Sequence, residues 1–255
     1  MRKLFSANVA AIAVTMAGSA LAADLPITAS APFAQRWTGC YFGGSVGGGF
    51  AHKNITDPAQ LVQDSFLGPG STPGITTTGL SPDGVVIGVQ LGCDYQFAPS
   101  WVVGMEGAAS GARLERSATV GLPLGAPDTA LMKAKTDFLA SVTARLGYTF
   151  DNVLLYARGG GAMAGDRLNV TGSFMGMPFG FEGLQDRLGW VAGAGVEWAF
   201  SPHWSVNLEY DYYGFGHRSV AMLDTANGFQ GRVDVGQNIQ VVKVGVNFHI
   251  WGNGW

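Results

Sequence analysis

The chain has 255 residues, a formal net charge of −3, only 13% charged residues and a mean hydropathy of +0.19. The acidic balance argues against a nucleic-acid partner, and the length suits one large β domain. After the first two dozen residues no run of about 18 apolar residues occurs, which excludes a spanning helix; apolarity alternates instead.

Residues 1–22 have the form of a secretory signal, competing with an N-terminal anchor helix. Arg2 and Lys3 give the positive start, an Ala/Val-rich centre follows, and Ala20-Leu21-Ala22 forms the small-x-small cleavage site. Residues 23–36, rich in Pro, Ala and Ser, read as a periplasmic lead-in. The remainder, 37–255, divides into eight strands. Trp37 to Phe50 is followed by a long Pro/Gly/Thr loop to Asp83, and Gly84 to Phe97 turns at Ala98-Pro99-Ser100 into Trp101 to Leu114. A loop from Glu115 to Met132 leads to Lys133 to Phe150, which turns at Asp151-Asn152 into Val153 to Ala164. The next loop, Gly165 to Asp186, precedes Arg187 to Phe200; Ser201-Pro202-His203 turns that strand into Trp204 to Gly214. A last loop, Phe215 to Gly236, precedes Gln237 to Ile250. Short turns alternate strictly with long loops. That pattern predicts an all-β, eight-stranded antiparallel up-and-down transmembrane barrel with short periplasmic turns and long extracellular loops.

The strand faces agree on this reading. Val85 to Phe97, Phe138 to Phe150, Trp190 to Phe200 and Trp204 to Tyr212, each taken at every second residue, form apolar outward sets. Phe97, Trp101, Phe150, Phe200, Trp204 and Phe248 share that parity beside the short turns, where an aromatic girdle belongs. On the opposite faces Glu106, Arg145, Arg158 and Glu209 each lie five residues from the periplasmic end of their strand, Lys243 lies five before the girdle residue Phe248, and Glu197 lies three in. They predict an interior ion-pair network that plugs the barrel, because buried charges need partners. A soluble barrel would instead place the apolar sets inside and leave these six as unrelated surface charges.

The two cysteines, Cys40 and Cys93, have outward parity at similar depth on the first two strands. Pairing them sets Phe42 against Leu91 and Val46 against Ile87 outside, and Tyr41 against Gly92 inside, so a disulfide is expected. The competing reading is two small apolar residues facing lipid.

The closing strand alternates Val242, Val244, Val246, Phe248 and Ile250 with Lys243, Gly245, Asn247 and His249. Its Lys243, Gly245, Phe248 and Ile250 resemble the C-terminal assembly signal of bacterial outer-membrane barrels, which implies engagement of the barrel-assembly machinery and closure of the last strand on the first. The chain runs on to Trp255, a second candidate for the terminal aromatic. Trp37 to Gly44, Gly88 to Tyr95, Arg145 to Tyr148, Leu155 to Gly160 and Glu209 to Tyr213 resemble strand motifs of the alphaproteobacterial porin-family or outer-membrane immunogenic proteins, within the OmpA-like superfamily. The resemblance implies an outer-membrane location, contact with membrane lipid and lipopolysaccharide, and a monomer; relatives are described as surface antigens and some as haem receptors.

Catalytic and cofactor patterns are weak. His52, His203, His217 and His249 lie on a loop, a turn, a strand exit and the tail, without metal-ligand spacing, and the loops lack a His/Tyr cluster for haem. His217-Arg218-Ser219 is the local candidate for a lipid-A-modifying site, against a solvated loop. Gly159-Gly160-Gly161 lacks the following helix that a phosphate cradle needs. The expectation is a non-enzymatic barrel without cofactor or metal that serves envelope integrity and surface display. Ligand binding, weak solute passage and an enzyme acting on lipid are the alternatives.

Overall fold

In the computed structural model residues 36–56, 77–121, 129–174, 177–224 and 230–250 are described, and every regular element among them is a strand. These are β1 (Gly39–Thr56), β2 (Thr77–Leu80), β3 (Asp83–Gln96), β4 (Trp101–Gly121), β5 (Thr129–Phe150), β6 (Val153–Phe174), β7 (Met177–Ser201), β8 (Trp204–Asp224) and β9 (Gln230–His249). The short β2 adds only to the outer end of β1, from Lys53↔Leu80 to Thr56↔Thr77. The other eight form one antiparallel sheet that closes when β9 pairs with β1, from Tyr41↔His249 to Thr56↔Asp234. Closure matters physically because a lipid-exposed strand edge would leave backbone N–H and C=O groups without partners.

The strands run further than their alternation suggests. Most of the segments expected as loops, Glu115 to Met132, Gly165 to Asp186 and Phe215 to Gly236, are paired strand: β4 and β5 pair out to Gly121↔Thr129, β6 and β7 to Phe174↔Met177, and β8 and β9 to Leu223↔Gln230. The register shifts between Gly111 and Leu114, between Thr136 and Phe138, and between Gly214 and Gly216, where Gly216 takes φ 62°. The shifts exchange the two faces of β5 and β8, so the apolar period breaks there while the hydrogen-bond ladder continues; on β4 Ala112 and Leu114 keep the inward parity of Glu106. One interruption is wider: the β7–β8 ladder stops between Glu182 and Trp190.

Outward residues form a continuous apolar wall, with Ile87, Val89, Leu91, Met105 and Val142 all more than half exposed. Phe97, Trp101, Phe150, Phe200, Trp204 and Phe248 ring its short-turn end; Trp101 meets Tyr148 edge-on at 5.3 Å and Trp204 meets Phe248 at 5.0 Å. Cys40 and Cys93 sit opposite one another on this outer face and are joined, with S–S 2.06 Å and Cα–Cα 3.9 Å. The same register sets Phe42 against Leu91, Val46 against Ile87 and Tyr41 against Gly92. The expected signal, the lead-in up to residue 35, most of the first long loop and Trp255 lie outside the described residues.

Candidate functional site: the barrel interior

Because successive side chains alternate, each wall strand sends its polar set inward. Near the short-turn end these sets meet in one buried network. Arg145 on β5 forms a two-pronged pair with Asp94 on β3, with Nε to Oδ1 at 2.7 Å and Nη2 against Oδ2, and its Nη1 lies 3.1 Å from Glu197 Oε2 on β7. The guanidinium also stands between two rings, 4.8 Å from Tyr41 and 4.9 Å from Tyr156. Those tyrosines tie it to the neighbouring cluster: Tyr41 donates to Glu106 Oε2 at 2.7 Å and Tyr156 to Glu209 Oε1 at 2.6 Å.

Arg158 on β6 meets three carboxylates. Its Nη1 lies 2.5 Å from Glu106 Oε1 and 3.0 Å from Glu209 Oε2, and its Nε lies 2.9 Å from Asp211 Oδ1. Lys243 on β9 shares the last two, 2.9 Å from Glu209 Oε2 and 3.4 Å from Asp211 Oδ2. Glu197 is further held by Ser205 at 2.5 Å and Asn247 at 2.9 Å. Gly92 and Gly195 make room for the rings: a Cβ at either would overlap Tyr41 or Tyr156, respectively. Every charge here is nearly inaccessible to water, so the pairs replace hydration that the interior has removed.

Apolar layers bound the network. Trp37, Val102, Leu154, Tyr156 and Ala199 form the floor, where Trp37 Nε1 donates to Thr149 Oγ1 at 2.8 Å. Above lies a larger layer that includes Leu114, Leu139, Val191, Tyr213, Phe215 and Ile239. Beyond it a second charged cluster centres on Asp166, which pairs with Lys53 at 2.8 Å and Arg187 at 3.3 Å and accepts from Thr136 at 2.5 Å. The interior is thus filled by side chains in alternating apolar and charged layers.

All six residues expected in the network, Glu106, Arg145, Arg158, Glu197, Glu209 and Lys243, stand in it. Asp94 and Asp211 also stand in it and have inward parity, Asp94 at the same depth from Phe97 as Glu197 from Phe200, so parity alone would have included both. Lys53 and Asp166 lie just past Phe50 and Ala164, where the expected strands end, although the inward parity of β1 and β6 continues through them, and Arg187 has inward parity at the first position of its expected strand. His249 is corrected from tail to strand: it ends β9, is buried, and places Nε2 3.0 Å from Ser205 Oγ and 3.4 Å from Glu197 Oε1. One nitrogen faces both partners, which makes this a structural tie and not a relay from acid through imidazole to nucleophile. His52 and His217 are likewise on strands, β1 and β8, and point outward or into solvent, while His203 stacks on Phe248 at 6.0 Å. Among the described residues no group of three or more His, Cys, Asp or Glu is placed to hold a metal. His217, Arg218 and Ser219 are all exposed, and Ser219 donates to Asp234. Gly159 to Gly161 lie inside β6.

A family model described as the outer membrane protein beta-barrel domain matches residues 10–249. The chain belongs to this family. It is 30% identical over 261 residues to the 31 kDa outer-membrane immunogenic protein of Brucella melitensis, an alignment covering 95% of this chain and 98% of the relative. The 25 kDa outer-membrane immunogenic protein of Brucella abortus is 25% identical over 189 residues, covering 72% and 75%. Among solved structures the outer membrane protease OmpT of Escherichia coli superposes with a TM-score of 0.52 at 9% identity, covering 86% of this chain and 99% of that one. At that identity the likeness extends to the fold alone. This member of the family is therefore an outer-membrane β-barrel of the immunogenic-protein group, and its apolar wall faces lipid.

Proposed function

We propose that this outer-membrane barrel is a non-enzymatic structural protein of the envelope that displays its outward hairpins at the cell surface and conducts no solute. The observation that carries this reading is the filled interior: two ion-paired layers separated by an apolar layer built from all sides of the barrel. Eight strands enclose only enough space for side chains, so a channel would require this packing to be dismantled. The relatives' description as immunogenic fits surface-displayed hairpins. Planar-bilayer recording from purified protein tests the proposal. The expected result is no stable conductance above the bare membrane, and a steady, large, ohmic conductance would overturn it.

A further inference from the structure

The outer wall carries a feature that the plugged interior does not explain. Across β3 to β7 the lipid-facing side chains shrink to Gly107, Ala109, Ala140 and Gly161, bordered by Val89 and Leu188, and leave a lateral groove of about 720 Å³. A Cβ built at Gly107 or Gly161 would meet nothing within 4 Å, so the hollow is open outward and its glycines are not holding the backbone close to a neighbour. The volume is within the roughly 300–1,000 Å³ of ordinary ligand sites, and five strands at about 4.8 Å spacing make it roughly 19 Å wide.

A second recess stands directly above on the same strands, lined by Val85, Gly111, Arg113, Lys135 and Asp137. Its charges do not balance. Asp137 is shared by Lys135 at 2.6 Å and Arg167 at 2.9 Å, Lys133 is matched by Glu115 and Arg116 by Asp83, while Arg113 forms no ion pair with any described residue. Asp186, beside Gly165 on β7, is the remaining acid at this level. Arg113 lies a dozen residues along β4 from the girdle residue Trp101. At about 3.3 Å per residue and a tilt near 40° that is roughly 30 Å, just past an apolar band of about 25 Å. The unpaired guanidinium is therefore at headgroup depth, immediately over the groove.

We propose that this wall is a binding site for a phosphorylated, multiply acylated glycolipid of the outer leaflet, of the lipid A class. The groove takes acyl chains side by side, more than the two of a phospholipid, and Arg113 with Lys135 takes a phosphate. Arginine's planar fork suits a phosphate bidentately, and the low-dielectric surroundings strengthen the pair.

The test uses the mature chain folded in detergent micelles and titrated with diphosphorylated lipid A, with a phosphate-free analogue carrying the same chains, and with phosphatidylglycerol. Tryptophan fluorescence reports occupancy, since Trp190 pairs with Gly161 across β6 and β7. Saturable binding of diphosphorylated lipid A is expected, weakened about tenfold by Arg113→Gln, which is the loss of one charge-assisted phosphate contact. Arg113→Lys should recover part of that loss. Gly161→Leu, which fills the groove without touching the charges, should weaken lipid A and its phosphate-free analogue alike. Arg113→Gln should leave the analogue unchanged. Heat-modifiable gel mobility of each variant establishes that it is folded. Equal affinity for phosphatidylglycerol with the same dependence on both residues would overturn the proposal, as would binding indifferent to both substitutions. A groove substitution that alters only self-association in micelles would also overturn it, by making a second copy the occupant.

Discussion

Arg158 touches three carboxylates and Lys243 touches two of the same three, so no member of the network can leave without stranding another. Replacing one partner of a buried pair costs far more than the pair itself contributes, because the remaining charge stays dehydrated. Arg145→Ala, which also empties the space between two tyrosine rings, and Glu209→Ala should each destabilise the barrel by about 3 kcal/mol. A polar substitution between residues 57 and 81 should change stability by less than about 0.5 kcal/mol. Urea unfolding in micelles measures both, and equal costs would refute the structural role of the interior charges. Residue type and parity were enough to pick out these charges, since charge at an inward position of an apolar-walled strand has few interpretations. Partner identity was not legible, because it depends on barrel shear: Arg145 sits opposite Arg158 in the ladder yet reaches Asp94 two strands away.

At the scale of elements, the disulfide and the strand extensions make separate demands. Cys40–Cys93 joins β1 to β3 on the lipid side of the wall, where a water-soluble reductant must enter a low-dielectric region as a charged thiolate. Mass analysis after alkylation should therefore find no labelled thiol in folded protein, even after brief exposure to reductant, and two labelled thiols once the barrel is unfolded and reduced. This pairing was readable because both cysteines sit in strands with uninterrupted alternation. The β6–β7 hairpin was not readable, since polar residues beyond the membrane give no apolar period for the eye to follow. Its ladder runs without a break from Val153↔Trp198 to Phe174↔Met177. Amide hydrogen exchange should accordingly show protection on the β6 side of this hairpin well beyond Gly165, where a loop would exchange at once; exchange is expected to be faster from Gly183 to Gly189, which lack β8 partners.

At the scale of the molecule, closure and filling act together. A cylinder whose strands all have two neighbours has no end from which detergent can peel it, so the folded protein should migrate differently from a boiled sample on a gel run in dodecyl sulfate. Identical mobility would contradict a closed barrel. The family and fold were visible in the turn pattern and the closing strand, whereas the layered interior was only half visible, because Lys53 and Asp166 lie past the points, Phe50 and Ala164, where the apolar alternation gives way to polar sequence. That layering gives the barrel an electrical direction. Among the described residues the lower layer holds five carboxylates, Asp94, Glu106, Glu197, Glu209 and Asp211, against Arg145, Arg158 and Lys243, and the upper cluster holds Lys53 and Arg187 against Asp166. Held apart by an apolar septum, the two layers form a fixed dipole along the barrel axis, negative toward the periplasm and positive toward the surface. In a bilayer whose outer leaflet is densely anionic, the positive end of such a dipole is attracted toward that leaflet.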